Sequence, residues 1–235
     1  MVEPISLLLD ENEKKITIGK CCVCGEIWDL KEYEPIETKR VQRYLDGMPL
    51  NFSEKDMKYI YYCKHCNNVT VYEYPFSDIN GVRDRCHDEQ YKQILASDEP
   101  IEVKRIKLAE YKFKDTKDDD FVLPILQLYW YYDSIGDKKQ MTEYAQKLIK
   151  LYERKIHYSV KVGTRSLLQI VGKSFHLHLE IILIDIYRRM GNFNKSKELI
   201  QIAREKMYIK DEDIIQMQLF KLQSDLCDKK DTNRY

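Results

Sequence analysis

Two short cysteine pairs constrain this chain more than anything else in it: Cys21-Cys22-Val23-Cys24-Gly25 and Cys63-Lys64-His65-Cys66-Asn67. In each pair the chain turns tightly and carries its sulfurs to one side. The residue after the second cysteine then favours a left-handed backbone, which Gly25 adopts freely and Asn67 adopts more readily than most residues. Turned backbone N–H groups can donate to the sulfurs. Two such turns brought together give a tetrahedral four-sulfur site, the preferred structural geometry of zinc. The expected ligands are Cys21, Cys24, Cys63 and Cys66, holding one structural Zn2+ per chain. Iron also accepts four sulfurs. Redox-active pairs or free thiols are the other readings, although a thioredoxin-like pair calls for a βαβ context that these flanks do not supply. Four cysteine ligands leave no position for substrate or water, so the metal is expected to be non-catalytic.

Other residues of the same chemistry compete for these roles. Cys22 could replace Cys21, and His65 could replace a cysteine of the second pair, each with poorer turn geometry. Cys86-His87 could offer a fifth ligand or a second site, but Cys86 reads more simply as a small apolar residue at a helix start. Cys227 reads as a buried or partly exposed thiol. His176 and His178 share a face only on a strand, and no acidic residue or cysteine at ligand spacing completes a set around them. His157 is isolated. GxSxG, GxxxxGK[ST], GxGxxG and HExxH are all missing from the sequence, so no catalytic site is expected and the chain reads as a non-enzyme.

The chain of 235 residues carries 39 Lys and Arg against 39 Asp and Glu. It is therefore not a polyelectrolyte, and local charge has to be read separately. No apolar run approaches the roughly 18 residues needed to cross a bilayer, and the first residues lack the basic leader of a secretory signal. A cytoplasmic location without a membrane partner is the expectation, and cysteines there serve as metal ligands or buried thiols more than as disulfides.

The chain reads as α+β and mostly α, in two parts. Residues 1–80 hold five of the seven cysteines, four of the six prolines and short Val-, Ile- and Tyr-rich segments such as 16–18 and 68–74, which read as strands around turns. Residues 81–235 switch to helical periodicity. Helices are expected at about 84–95 and 101–112. Pro124 falls in the first turn of a third, where its missing N–H costs little. Two hairpins follow: 122–135 and 141–152 flank Gly136-Asp137, and 181–190 and 196–207 flank Gly191-Asn192. Glycine there suits a helix end that needs a left-handed residue. Segment 175–187 alternates like a strand, but its length and its approach to the second break favour a buried helix. A last helix spans about 213–226, and residues 228–235 are expected to fray. The aromatic run Leu128-Tyr129-Trp130-Tyr131-Tyr132 reads as core packing rather than as a base-stacking platform.

The order of CxxCG turn, long insertion, second CxxC, short strand and helical hairpins resembles the bacterial DUF2225 family. The matching residues are Cys21, Cys24 and Gly25, the Arg43…Asp46 stretch, and Tyr62, Cys63 and Cys66 followed by residues 71–76. That family usually has glycine after its second CxxC, where Asn67 stands here. The resemblance implies a small N-terminal four-cysteine zinc-ribbon-like β module joined to tetratricopeptide-like helices. The segments Tyr132…Gly136-Asp137 and Tyr187…Gly191-Asn192 are similar to the end of a tetratricopeptide first helix, although their 55-residue spacing requires an insertion around 156–173. Such hairpins stack to bury their apolar faces and leave a groove.

A protein or peptide partner in that groove is the expected function. The alternative is a nucleic-acid-associated or regulatory role through the basic helices of 137–210, which hold 16 Lys and Arg against 7 Asp and Glu, with Arg154, Lys155, Lys161, Arg165 and Lys173 clustered.

Overall fold

The structure is a computed structural model. It describes residues 8–9, 15–16, 18–21, 23–29, 45–46, 48–50, 52–54, 57, 60–71, 87–112, 122–162, 179–206 and 213–235. The architecture is mostly helical, with three two-stranded antiparallel ribbons. The chain forms two compact units, each from two segments: Met1–Lys39 with Ser53–Leu128, and Arg40–Phe52 with Tyr129–Tyr235. This partition differs from a single cut at 80/81. The first helices join the cysteine unit, and part of the insertion between the cysteine pairs belongs to the helical one.

In the first unit, β1 (Leu8–Leu9) pairs with β2 (Lys15–Ile16), β3 (Ile18–Lys20) with β4 (Ile27–Asp29), and β5 (Ile60–Tyr62) with β6 (Val69–Val71). Helix α1 (Glu89–Ala96) begins after Asp88, later than the periodicity suggested. Helix α2 (Ile101–Lys112) matches its expected bounds. It packs on α1 and on the β5–β6 ribbon, burying Val103, Ile106, Leu108 and Ala109. Ile60, Val69 and Tyr91 are also fully buried. Each large aliphatic side chain so buried contributes about 1.5–3 kcal/mol.

The helical unit contains the end of α3 (Val122–Ser134) and the whole of the four helices that follow it. Helix α4 spans Lys138–Val162, α5 Leu179–Arg189, α6 Phe193–Lys206 and α7 Asp213–Asp228. Helix α4 runs ten residues beyond the expected end, into the segment read as an insertion. Helix α5 makes 179–187 of the alternating segment helical, while residues 175–178 of that expectation lie outside the described residues. The helix is buried almost all round: Ile181, Ile182, Leu183, Ile184, Asp185, Ile186, Tyr187 and Arg188 are all buried. It packs on α4, α6 and α7, and α6 packs on α7. Ile181, Ile184, Ile200, Ala203 and Phe220 form the shared core. Tyr132 stacks on Tyr144 at 5.5 Å, and Phe52 meets Trp130 edge-on. The aromatic run is therefore core, with Leu128, Tyr129, Trp130 and Tyr132 buried.

Three helices of this series end in the same way. Gly136 and Gly191 have φ of +75°, and Lys230 has +51°. After α3, Gly136 N–H bonds Asp133 O and Asp137 N–H bonds Tyr132 O. After α5, Gly191 bonds Arg188 O and Asn192 bonds Tyr187 O, and after α7, Lys230 bonds Cys227 O and Asp231 bonds Leu226 O. This paired pattern satisfies the last carbonyls of each helix. The residue that follows the left-handed one then accepts a backbone N–H two or three residues on, which caps the next helix after α3 and α5. Asp137 Oδ1 accepts from Gln140 N, Asn192 Oδ1 from Lys195 N, and Asp231 Oδ1 from Asn233 N.

Residues 229–235 do not fray, contrary to expectation. Arg188 is fully buried; it pairs with Asp185 at 2.7 Å and donates to Asp231 O (2.6 Å) and Asn233 O (2.8 Å). Arg234 reaches Asp46 (2.8 Å) and Asp133 (3.0 Å), and Leu45 N–H donates to Tyr235 O. A buried charge is retained only when paired and hydrogen-bonded, and these contacts hold the segment down. Among the described residues no helix is long and apolar enough to cross a membrane.

Candidate metal centre

The β3–β4 and β5–β6 ribbons each end in a six-residue turn that carries one cysteine pair. In the first turn Gly25 N–H bonds Cys21 O (2.9 Å) and Cys21 N–H bonds Glu26 O (2.7 Å). In the second, Asn67 N–H bonds Cys63 O (2.7 Å) and Cys63 N–H bonds Asn68 O (2.8 Å). The two turns are thus built alike. Gly25 has φ of +78° and Asn67 +62°, the left-handed backbone expected after each second cysteine. Asn67 is further fixed by its neighbours. Its Oδ1 accepts from Tyr62 OH (2.5 Å) and its carbonyl from Tyr91 OH (2.6 Å).

Cys21, Cys24, Cys63 and Cys66 come together, with all four sulfurs within 4.8 Å of one another. Cys21 Sγ lies 3.5 Å from Cys66 Sγ, and Cys24 Sγ lies 3.6 Å from Cys63 Sγ, each pair joining the two turns. These spacings exceed the roughly 2.05 Å of a disulfide. A tetrahedral cation with metal–sulfur bonds of about 2.3 Å places its sulfurs about 3.8 Å apart. The donor set therefore fits a metal ion of that size. Cys21 and Cys63 are buried, whereas Cys24 is exposed and Cys66 is partly so.

Burial raises the Cys66 thiol, against the Asn68 backbone N–H that lowers it. At Cys24 the Glu26 backbone N–H lowers the thiol, but desolvation and the adjoining Cys63 thiol leave it raised. The Cys24 and Cys66 thiols therefore resist ionisation without a cation, and a bound divalent ion reverses that preference by coordinating thiolates.

Of the other candidates, His65 is exposed on the second turn and outside the cluster, and His87 is exposed before α1. Cys22, Cys86, His157, His176 and His178 lie outside the described side chains. Cys227 is buried beneath α6, its thiol 3.2 Å from Ser196 Oγ. Sequence reasoning missed Asn68, which is fully buried beside Cys21, and Lys112, which reaches it from α2. Only contacts made by the folded chain mark them.

No protein-family model, curated protein or solved structure matches this chain.

Proposed function

We propose that the chain is a non-enzymatic scaffold in which a structural zinc ion fastens a small zinc-ribbon-like module, and repeat-like helical hairpins present a groove to a protein or peptide partner. The observation that carries the reading is the closed donor set of four cysteines on two matched turns. Cys21, Cys24, Cys63 and Cys66 would hold the ion, which would supply cross-linking rather than chemistry. A small unit with short strands buries little core, and metal binding adds directly to its folding free energy.

The repeat-like reading is supported by the three matching helix ends after α3, α5 and α7 and by the packing of α5, α6 and α7 on one another. Such stacking suits tetratricopeptide-like hairpins, each burying a face its own pair cannot cover. The proposed kinship with the DUF2225 family rests on the cysteine turns and on Asp46, which is fully buried.

The protein-partner reading is favoured over nucleic acid because part of the basic excess in 137–210 is already neutralised by acids outside that stretch. Arg189 faces Asp133 and Asp46. Lys197 faces Asp228.

The test is affinity capture with the metal-loaded full chain at about 50 and 300 mM salt, with and without nuclease. Protein retained at high salt after nuclease supports the scaffold. Capture abolished by nuclease and falling steeply with salt would replace it with the nucleic-acid role.

A further inference from the structure

Asn68 closes the second cysteine turn through its backbone carbonyl, and its side chain is fully buried. Its two amide atoms face different partners. Oδ1 accepts from Lys112 Nζ at 2.6 Å, and Nδ2 stands 4.0 Å from Cys21 Sγ on the other ribbon. Lys112 Nζ also donates to Val69 O at 2.9 Å. An ammonium group can only donate, so the amide atom beside it must be the oxygen, and the NH2 group must turn to the sulfur. Lys112 sits in the last turn of α2, a position that favours a cation.

We propose that Lys112, acting through Asn68, is a positioning residue that sets the metal affinity of the four-cysteine centre and the electron density on the Cys21 sulfur. The inference rests on the reading that these cysteines hold a divalent metal. Four thiolates around such an ion carry a net charge of about −2. The Cys21 sulfur is buried away from water, so N–H donors from the protein have to replace solvent around it. The Asn68 amide supplies one, and the Lys112 charge polarises that amide toward the sulfur. Groups of this kind, one layer behind the ligands, typically alter metal affinity by about 10–100-fold.

The test uses Zn2+ and Co2+ as probes on the full chain. Zn2+ affinity is measured by competition with a chromophoric chelator, and the thiolate-to-metal absorption is recorded on the Co2+-loaded protein. Lys112→Met and Asn68→Asp are expected to weaken Zn2+ binding by about 10–100-fold and to shift the Co2+ band. Lys112→Arg is expected to restore most of the affinity. Asn68→Asp preserves size and the Lys112 contact but takes away the N–H facing Cys21. A purely structural role therefore predicts unchanged affinity and spectrum for that variant, and that result would overturn the inference. The Co2+ band is read on loaded protein, so a variant that folds only with metal still reports. One metal bound equally tightly by wild type, Lys112→Met and Asn68→Asp would refute the tuning role alone, whereas no metal in wild type would refute the site as well.

Discussion

Replacing Arg188 with methionine is expected to destabilise the helical unit by about 3–5 kcal/mol. The side chain is fully buried, and its guanidinium bonds Asp185 Oδ1 twice, at 2.7 and 3.2 Å, as well as two backbone carbonyls of the segment after α7. Methionine fills comparable volume, so cavity formation contributes little. The loss comes from leaving Asp185 buried without its cation and the Asp231 and Asn233 carbonyls without a charged donor. Breaking one side of a buried pair costs far more than removing both. The double variant Arg188→Met, Asp185→Leu should therefore recover at least half of the loss. Urea unfolding of both in a Trp28→Phe background isolates the emission of Trp130, which is buried against Phe52 in the same unit. A single-variant loss below about 1 kcal/mol, the range of an exposed pair, would refute the buried clamp. A double variant no better than the single would refute the stranded carboxylate as its cause.

Three further outcomes follow from the same unit. Burial, helped by Asp46 and opposed by Arg188, pushes Asp185 up to about 6, above the ordinary carboxylate range. The folded chain then holds a proton that the unfolded chain has released, so this contribution is full below about pH 4 and is lost as pH rises toward 6. Melting temperatures of wild type and Asp185→Asn measured across pH 4–7 should diverge accordingly, and parallel curves would exclude the effect. At the helix ends, space is open around Gly191 but φ is +75°, so Gly191→Ala should cost about 1–2 kcal/mol through backbone strain alone. Lys230→Gly, at +51°, should instead gain about 1 kcal/mol. Thermal unfolding of the two variants checks both signs.

The cysteine centre was legible because its signals are local. Cysteine spacing sets each turn, and the residue after it, Gly25 or Asn67, reveals the left-handed position. The breaks at Gly136 and Gly191 were legible for the same reason. The third matching end was not, because Lys230 occupies the left-handed position without glycine to mark it. Helix α5 read ambiguously because burial on nearly all sides erases the polar face that would display a helical period. Least legible was the role of residues 45–52. Asp46 is buried against Arg189 and Arg234, partners more than a hundred residues away. The long insertion between the cysteine pairs read as belonging with the rest of 1–80, whereas part of it belongs to the helical unit. Lys112 and Asn68 were hidden likewise, since they meet across 44 residues of sequence.

The most direct test of the central claim is metal content per chain, measured by elemental analysis on protein purified without added metal, for wild type and Cys63→Ser. The account predicts about one zinc per wild-type chain and its loss, together with folding stability, in the variant. Freshly reduced wild-type protein that carries no metal and remains folded would contradict it.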